Sequence, residues 1–140
     1  MKRRNLGDLR EWGRVSEELA AIQRQGGLDE YQQELVHMLR FRDNWRLREM
    51  ALTSIKRVEA VSEELAREML KIMNDDELYD EVRMLAAEAL ADALARARAA
   101  NRNALAGVVR DAIDTMHAIL DGPQPPVLQE TVRRALAALE

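Results

Sequence analysis

The sequence predicts an all-α fold: about seven helices and no sheet, stacked as helix pairs into a short right-handed α-solenoid. Three observations predict it. Apolar residues recur at spacings of three and four along most of the chain, and no window alternates convincingly with period two. Hydrophobic residues make up 47% of the sequence but aromatics only 4%, so the apolar supply is mainly Ala, Leu, Met, Val and Ile, which suits close helix packing better than strands. Finally, the surroundings of one turn between helices recur at two later turns.

The first helix is predicted from about Leu6 to Gln25, because Leu6, Leu9, Trp12, Val15, Leu19 and Ile22 fall on one helical face. Gly7 and Gly13 weaken its first half, with a break near Gly13 and a restart at Ser16 as the alternative. Gly26-Gly27 ends it, since glycine tolerates the left-handed conformation of a helix C-terminus. The second helix spans Leu28 to Arg42, with Asp29 as N-cap or first-turn acid and Tyr31, Leu35, Met38, Leu39 and Phe41 facing inward. Asp43-Asn44 breaks it, and one of the two caps the third helix, Trp45 to Glu59, whose apolar stripe is Leu47, Met50, Ala51, Ile55 and Val58.

Ser62 caps the fourth helix, which runs through Leu65, Met69, Leu70 and Ile72 to Met73, and Asn74-Asp75-Asp76 stops it. The fifth, Glu77 to Ala100, is rich in alanine, the best helix former. Asn101 to Asn103 separates it from the sixth, Ala104 to Leu120. Three prolines in Gly122-Pro123-Gln124-Pro125-Pro126 cannot continue a helix, and a seventh runs from Val127 to Leu139.

The 140 residues fit one domain. No window approaches the roughly 20 apolar residues of a membrane span, and the basic Met1–Arg10 stretch has no apolar segment of the secretory kind. Without cysteine there is no disulfide, thiolate metal site or cysteine nucleophile, which suits a cytoplasmic location. Net charge is −4 but uneven: residues 1–57 carry 12 Lys/Arg against 9 Asp/Glu, and residues 58–140 carry 9 against 16. An acidic protein with a mildly basic end is a poor general nucleic-acid binder.

The recurring turn reads, in its first copy, Leu35, Val36 and Leu39, then Asp43, then Leu47-Arg48, Ala51 and Ile55. In the second it reads Leu65, Leu70 and Met73, then Asp75-Asp76, then Val82-Arg83, Ala86 and Leu90. A looser third copy has Ile113, Met116, Ile119-Leu120, Asp121, then Val132-Arg133, Leu136 and Leu139. This resembles the HEAT repeat, in which a first helix ends at an acidic turn and a second opens with Val-Arg followed by spaced alanines. Val82-Arg83-Met84-Leu85-Ala86-Ala87-Glu88-Ala89-Leu90 matches that motif closely, Leu47-Arg48-Glu49-Met50-Ala51 well, and Val132-Arg133-Arg134-Ala135-Leu136 departs from it. The resemblance implies pairs over residues 28–60, 61–100 and 101–140, with residues 1–27 a terminal cap. It also implies a structural ladder pairing Asp43 with Arg48, Asp75 or Asp76 with Arg83, and Asp121 with Arg133. By the same resemblance the second helix of each pair lines the concave face where solenoids usually meet partners.

No catalytic residue is predicted. There is no phosphate loop, serine elbow or His-Glu-x-x-His motif. Asp114 and His117 supply at most two metal ligands. The cluster Asp75, Asp76, Glu77, Asp80 and Glu81 lacks the ligand spacing and glycine of a calcium loop and reads as a helix start. No cofactor or metal is therefore assigned. Arg40, Arg42, Arg46, Arg48, Lys56 and Arg57 form a basic stripe around Trp45, and Trp and Arg favour a protein interface, here with an acidic partner. The expected function is a non-enzymatic protein-binding adaptor or regulatory module, monomeric or homodimeric, contacting its partner through Trp45, Arg46, Glu49, Thr53, Lys56, Glu81, Glu88, Asp92 and Arg134. The alternatives are an accessory enzyme of lyase type on the same scaffold, or nucleic-acid binding through the basic first repeat.

Overall fold

The computed structural model describes residues 6–140, and the first five residues of the predicted N-terminal element lie outside that range. Seven α-helices and two short 3-10 turns make up the described residues, with no strand among them. Helix α1 covers Trp12–Gln25, α2 Gln32–Arg40, α3 Trp45–Ile55, α4 Glu63–Met73, α5 Asp80–Ala99, α6 Ala106–Asp121 and α7 Pro126–Leu139. The 3-10 turns, Leu28–Tyr31 and Asn103–Leu105, lead into α2 and α6.

Most predicted elements appear with trimmed ends. Helix α1 begins six residues later than expected and runs through Gly13 without a break, while Leu6 is buried ahead of it. Gly26 ends α1 at φ +71, its N–H donating to the Ile22 and Gln23 carbonyls. Asn44 caps α3, its side-chain oxygen accepting from the Arg46 N–H, and the Ser62 hydroxyl caps α4 by accepting from Leu65. Asp29 lies in the first turn of the 3-10 segment that leads into α2, as a first-turn acid, but its side chain caps no helix there. Its two carboxylate oxygens accept from the Glu59 and Ala60 N–H groups, 2.8 and 2.9 Å away, in the loop after α3. That loop is why α3 stops at Ile55 rather than Glu59: Asp29 and Gln32 hold its 59–62 stretch from one side. From the other, Arg96 and Arg102 donate to the Val58 and Val61 carbonyls.

The helices pack in a regular order. Each of the pairs α2/α3, α4/α5 and α6/α7 is in contact, α2 touches α4 and α4 touches α6, and α1, α3, α5 and α7 touch in succession. Two rows result, with the apolar core between them. Along the longer row the helices run the same way: Gln23 of α1 donates to the Ser54 hydroxyl near the end of α3, and Arg98 near the end of α5 donates to the Leu139 carbonyl that ends α7. Helix α5 meets α3, α4 and α7, so it is buried on most sides. Its buried alanines (Ala86, Ala87, Ala89, Ala91, Ala93 and Ala97) let three neighbours approach, while Leu90 and Leu94 fill the space between.

Each of these pairs is joined at a helix end. A helix leaves its last carbonyls without intrahelical donors. The fourth residue of α3, Arg48, donates through Nε to the Leu39 carbonyl (3.0 Å), and the fourth residue of α5, Arg83, donates through Nε to the Met73 carbonyl (2.9 Å). In α7 the fourth residue is Gln129, whose Nε2 lies 3.1, 3.4 and 3.0 Å from the Ile119, Leu120 and Gly122 carbonyls. The expected third arginine is thus misplaced by one helical turn. Arg133 is exposed and, among the described residues, pairs only with Glu130 on its own helix. Asp121 and Arg133 share no ion pair, and Arg48 has none with Asp43. Of the three expected pairs, only Arg83 with Asp76 forms, at 3.4 Å.

These two arginines should behave oppositely on removal. Arg83→Met strips donors from the Met73 carbonyl, Gln124 and Asp76 in a buried setting and should cost about 1–3 kcal/mol. Arg133→Ala touches one exposed pair and should change stability by less than about 0.5 kcal/mol. Urea denaturation of both variants distinguishes this from the reverse order, which the sequence motif alone would give equal weight.

Candidate functional site

The nine predicted contact residues lie on α3, α5 and α7 or just past α3, all in the longer row. Eight are exposed and Glu49 is half-buried. They gather around the grooves between neighbouring helices of that row. Trp45, Glu49 and Glu81 border one between α3 and α5, with Tyr79 and Val82 and a volume of about 410 Å³. Glu49 and Thr53 border another between α1 and α3, with Ser16, Leu19 and Gln23. Glu88, Asp92 and Arg134 border a third between α5 and α7, with Thr131. Lys56 lies 3.7 Å from Glu88, spanning α3 and α5, and Asp92 is held by Arg96.

The apolar groups left outside the core are unevenly placed. The exposed large hydrophobics among the described residues are Trp12 (43%), Trp45 (46%), Tyr79 (68%) and Val127 (53%). Each stands at the start of one helix of the longer row: at the first turn of α1, α3 and α7, and immediately before α5. Three of the five aromatic residues of the chain are spent in this way. Arg46 sits between two of them, its guanidinium carbon 5.1 Å from the Trp12 ring centre and 5.4 Å from that of Trp45. A guanidinium over an indole face is attracted by the ring's quadrupole, so the contact links the two indoles through Arg46. Glu49 and Glu81, beside Trp45 and Tyr79, have no ion pair or hydrogen-bonding side-chain partner among the described residues.

The basic stripe expected around Trp45 is broken up. Arg48 is buried beneath the end of α2, Arg40 is bound to Glu68 at 2.8 Å, Lys56 is paired with Glu88, and Arg46 is stacked between tryptophans. Glu68 beside Arg40 lifts that guanidinium above its ordinary value, with Glu64 adding to the effect. Burial pushes Arg48 below its ordinary value, Arg42 pushes the same way, and Asp75 pushes it back up. The sequence pattern treated these six cations as one surface, but helix-end bonding and α4 divert two of them.

His117 lies 3.2 Å from the Glu140 carboxylate at the far end of α7, and Asp114 is exposed on α6. No group of three or more His, Cys, Asp or Glu side chains that could hold a metal occurs among the described residues. No helix among them is long and apolar enough to cross a membrane. Side chains that sequence reasoning passed over include Gln32, Gln124, Gln129 and Thr131. The glutamines bond across loops, which no local pattern announces. Compared with protein-family models, curated proteins and solved structures, the chain finds no match.

Thr131 is buried on α7, borders the α5/α7 groove, and its hydroxyl has no hydrogen-bond partner among the described residues. Replacing it with valine removes a desolvated, unpaired hydroxyl at nearly constant volume, and should raise stability by about 1 kcal/mol. A valine variant less stable than the parent in thermal unfolding would mean that the hydroxyl is bonded in solution.

Proposed function

We propose that the chain is a HEAT-like repeat module, three helix pairs with α1 as an extra helix at one end, that binds another protein and catalyses no reaction. Two features support the repeat reading. The helices contact one another in two rows, and the fourth residue of α3, α5 and α7 bonds back to the carbonyl end of the preceding helix in every pair. The third pair then takes Leu128-Gln129, not Val132-Arg133, as its counterpart of Val82-Arg83.

The binding reading rests on one observation: the exposed row of Trp12, Trp45, Tyr79 and Val127 at the starts of four neighbouring helices. Exposed apolar groups scattered singly need no explanation, but one at the head of each helix in a row makes an interface rim. Tryptophan, tyrosine and arginine are the side chains that most often dominate protein interfaces. The two unpaired carboxylates, Glu49 and Glu81, favour a partner that brings basic groups to the rim, in place of the acidic partner that the basic stripe suggested. Nucleic-acid binding loses support as that stripe is divided among internal bonds.

The test is affinity capture from the source organism with the full chain and with a Trp45→Ala/Tyr79→Ala variant. A partner held through the rim should lose about tenfold or more in affinity, the effect of a single strong anchor. An Arg46→Glu/Lys56→Glu variant serves as a second probe of the same face. Equal retention of the partner by the parent and both variants would move the interface elsewhere.

A further inference from the structure

The groove between the starts of α3 and α5 brings aromatic rings and carboxylates to one place. Its cavity of about 410 Å³ is lined by Trp45, Glu49, Tyr79, Glu81 and Val82. Trp45 is the first residue of α3 and Tyr79 stands immediately before α5, so a ring borders the groove from each helix. Val82 is buried and supplies the apolar base. Glu49, one turn into α3, is half-buried, and Glu81, in the first turn of α5, is exposed. Neither carboxylate has an ion pair or a hydrogen-bonding side chain among the described residues. An acid that is partly desolvated and unanswered favours whatever brings it a positive charge.

The sign of the site survives its surroundings. No lysine, arginine or histidine lines the cavity. The starts of α3 and α5 bring about half a positive charge each, and Asp80, next to Glu81 in the first turn of α5, offsets that contribution. Arg46, three residues before Glu49 on α3, forms no ion pair with it and lies over Trp12 and Trp45 instead. It takes one face of the Trp45 indole and leaves the other. The Tyr79 ring carries no cation among the described residues.

We propose that this pocket takes an arginine side chain of the partner protein, a proposal that rests on the aromatic rim being the docking surface. Aromatic faces and carboxylates attract the same guest, a cation. Between the two basic side chains, arginine fits both walls. Its planar fork pairs with a carboxylate through two N–H groups, its flat face stacks on a ring, and it gives up water more readily than an ammonium does. Glu49 and Glu81 receive the fork, while Tyr79 and Trp45 flank its plane. The size lies within the range of ligand pockets, roughly 300–1,000 Å³, and so admits one long side chain.

The experiment is a titration of the ¹⁵N-labelled full chain with acetyl-Gly-Arg-Gly-amide, following the Trp45 indole N–H signal. The same peptide with lysine, and with the neutral isostere citrulline, in place of arginine gives two further arms. Sodium chloride holds ionic strength constant, so that general screening is common to every point. The arginine peptide should shift Trp45 saturably with a Kd of about 1 mM or tighter, and the citrulline peptide should bind about tenfold more weakly or worse. The Glu49→Gln/Glu81→Gln variant keeps the shape of the pocket and should weaken the arginine peptide about tenfold. Shifts that stay linear to about 50 mM, far above a meaningful Kd, would overturn the proposal. So would equal affinity in that variant, equal binding of citrulline, or tighter binding of lysine. The Gln pair also keeps both rings, which separates this proposal from the one it rests on. A partner captured equally by the parent and the Gln pair, but lost by the Trp45→Ala/Tyr79→Ala variant, keeps the rim and removes the arginine pocket.

Discussion

An α-helix that ends inside a protein leaves carbonyls facing whatever packs on them, and this constraint organises the molecule. Most helix ends here are answered by a named donor from elsewhere. Arg48 serves α2, Arg83 serves α4, Gln129 serves α6 and Arg98 serves α7. Helix α1 is closed by its own Gly26. Because the first three donors stand one turn into the following helix, the bond that satisfies one helix also sets where the next begins. The turn between them can then be short and of varied composition, as Asp43-Asn44 and the Pro-rich 122–126 stretch both are. The fixed part is the fourth side chain. A neutral glutamine can fill it as well as a charged arginine, because the task is donation to carbonyls and not ion pairing.

The loop after α3 obeys the same rule on a larger scale. Its backbone N–H groups are taken by Asp29 and Gln32, and its carbonyls by Gln32, Arg96 and Arg102. These donors and acceptors come from the start of α2 and from the end of α5 and the turn after it, so the loop ties the α2/α3 pair to the α4/α5 pair. Its polar atoms are satisfied without a strand or an ordered turn of its own, which is the requirement for keeping a connection close to a helical core. Asp29, which reads from sequence as an N-cap or first-turn acid, and Arg96 act here as parts of the frame.

Helix number, helix type and the core stripes were legible in the sequence, since period and caps are local signals. Ser62 and Gly26 announce their roles within four residues. The register of the third pair was not legible. Val132-Arg133 carries the expected letters, but Pro126 starts α7 early enough to put Leu128-Gln129 at the level where Val82-Arg83 stands in α5. Nothing local ranks an arginine above a glutamine four residues away; the Ile119, Leu120 and Gly122 carbonyls do, and they lie across a turn. The candidate face was legible in part. Helical phase puts Glu49, Thr53, Glu81, Glu88, Asp92 and Arg134 outside the core, whereas the gathering of Trp12, Trp45 and Tyr79 depends on how α1 packs on α3 and α3 on α5.

The distribution of aromatic side chains carries the functional argument further than charge does. The chain has five aromatics and builds its core mainly from aliphatics and alanine, with Leu35, Leu65, Leu90 and Leu94 fully buried. Placing three of the five where water reaches them forgoes part of the roughly 1.5–3 kcal/mol that full burial of a large apolar side chain contributes. That stabilisation is recovered only when something covers them. Arg46 lies over both Trp12 and Trp45 and joins the two indoles into one surface patch. Charges on the same face are largely answered from within, Lys56 by Glu88 and Asp92 by Arg96, leaving Glu49 and Glu81 beside the aromatics to bias which partner can settle there. On the proposed binding reading, the apolar rim would set how tightly a partner is held, and the two carboxylates which one.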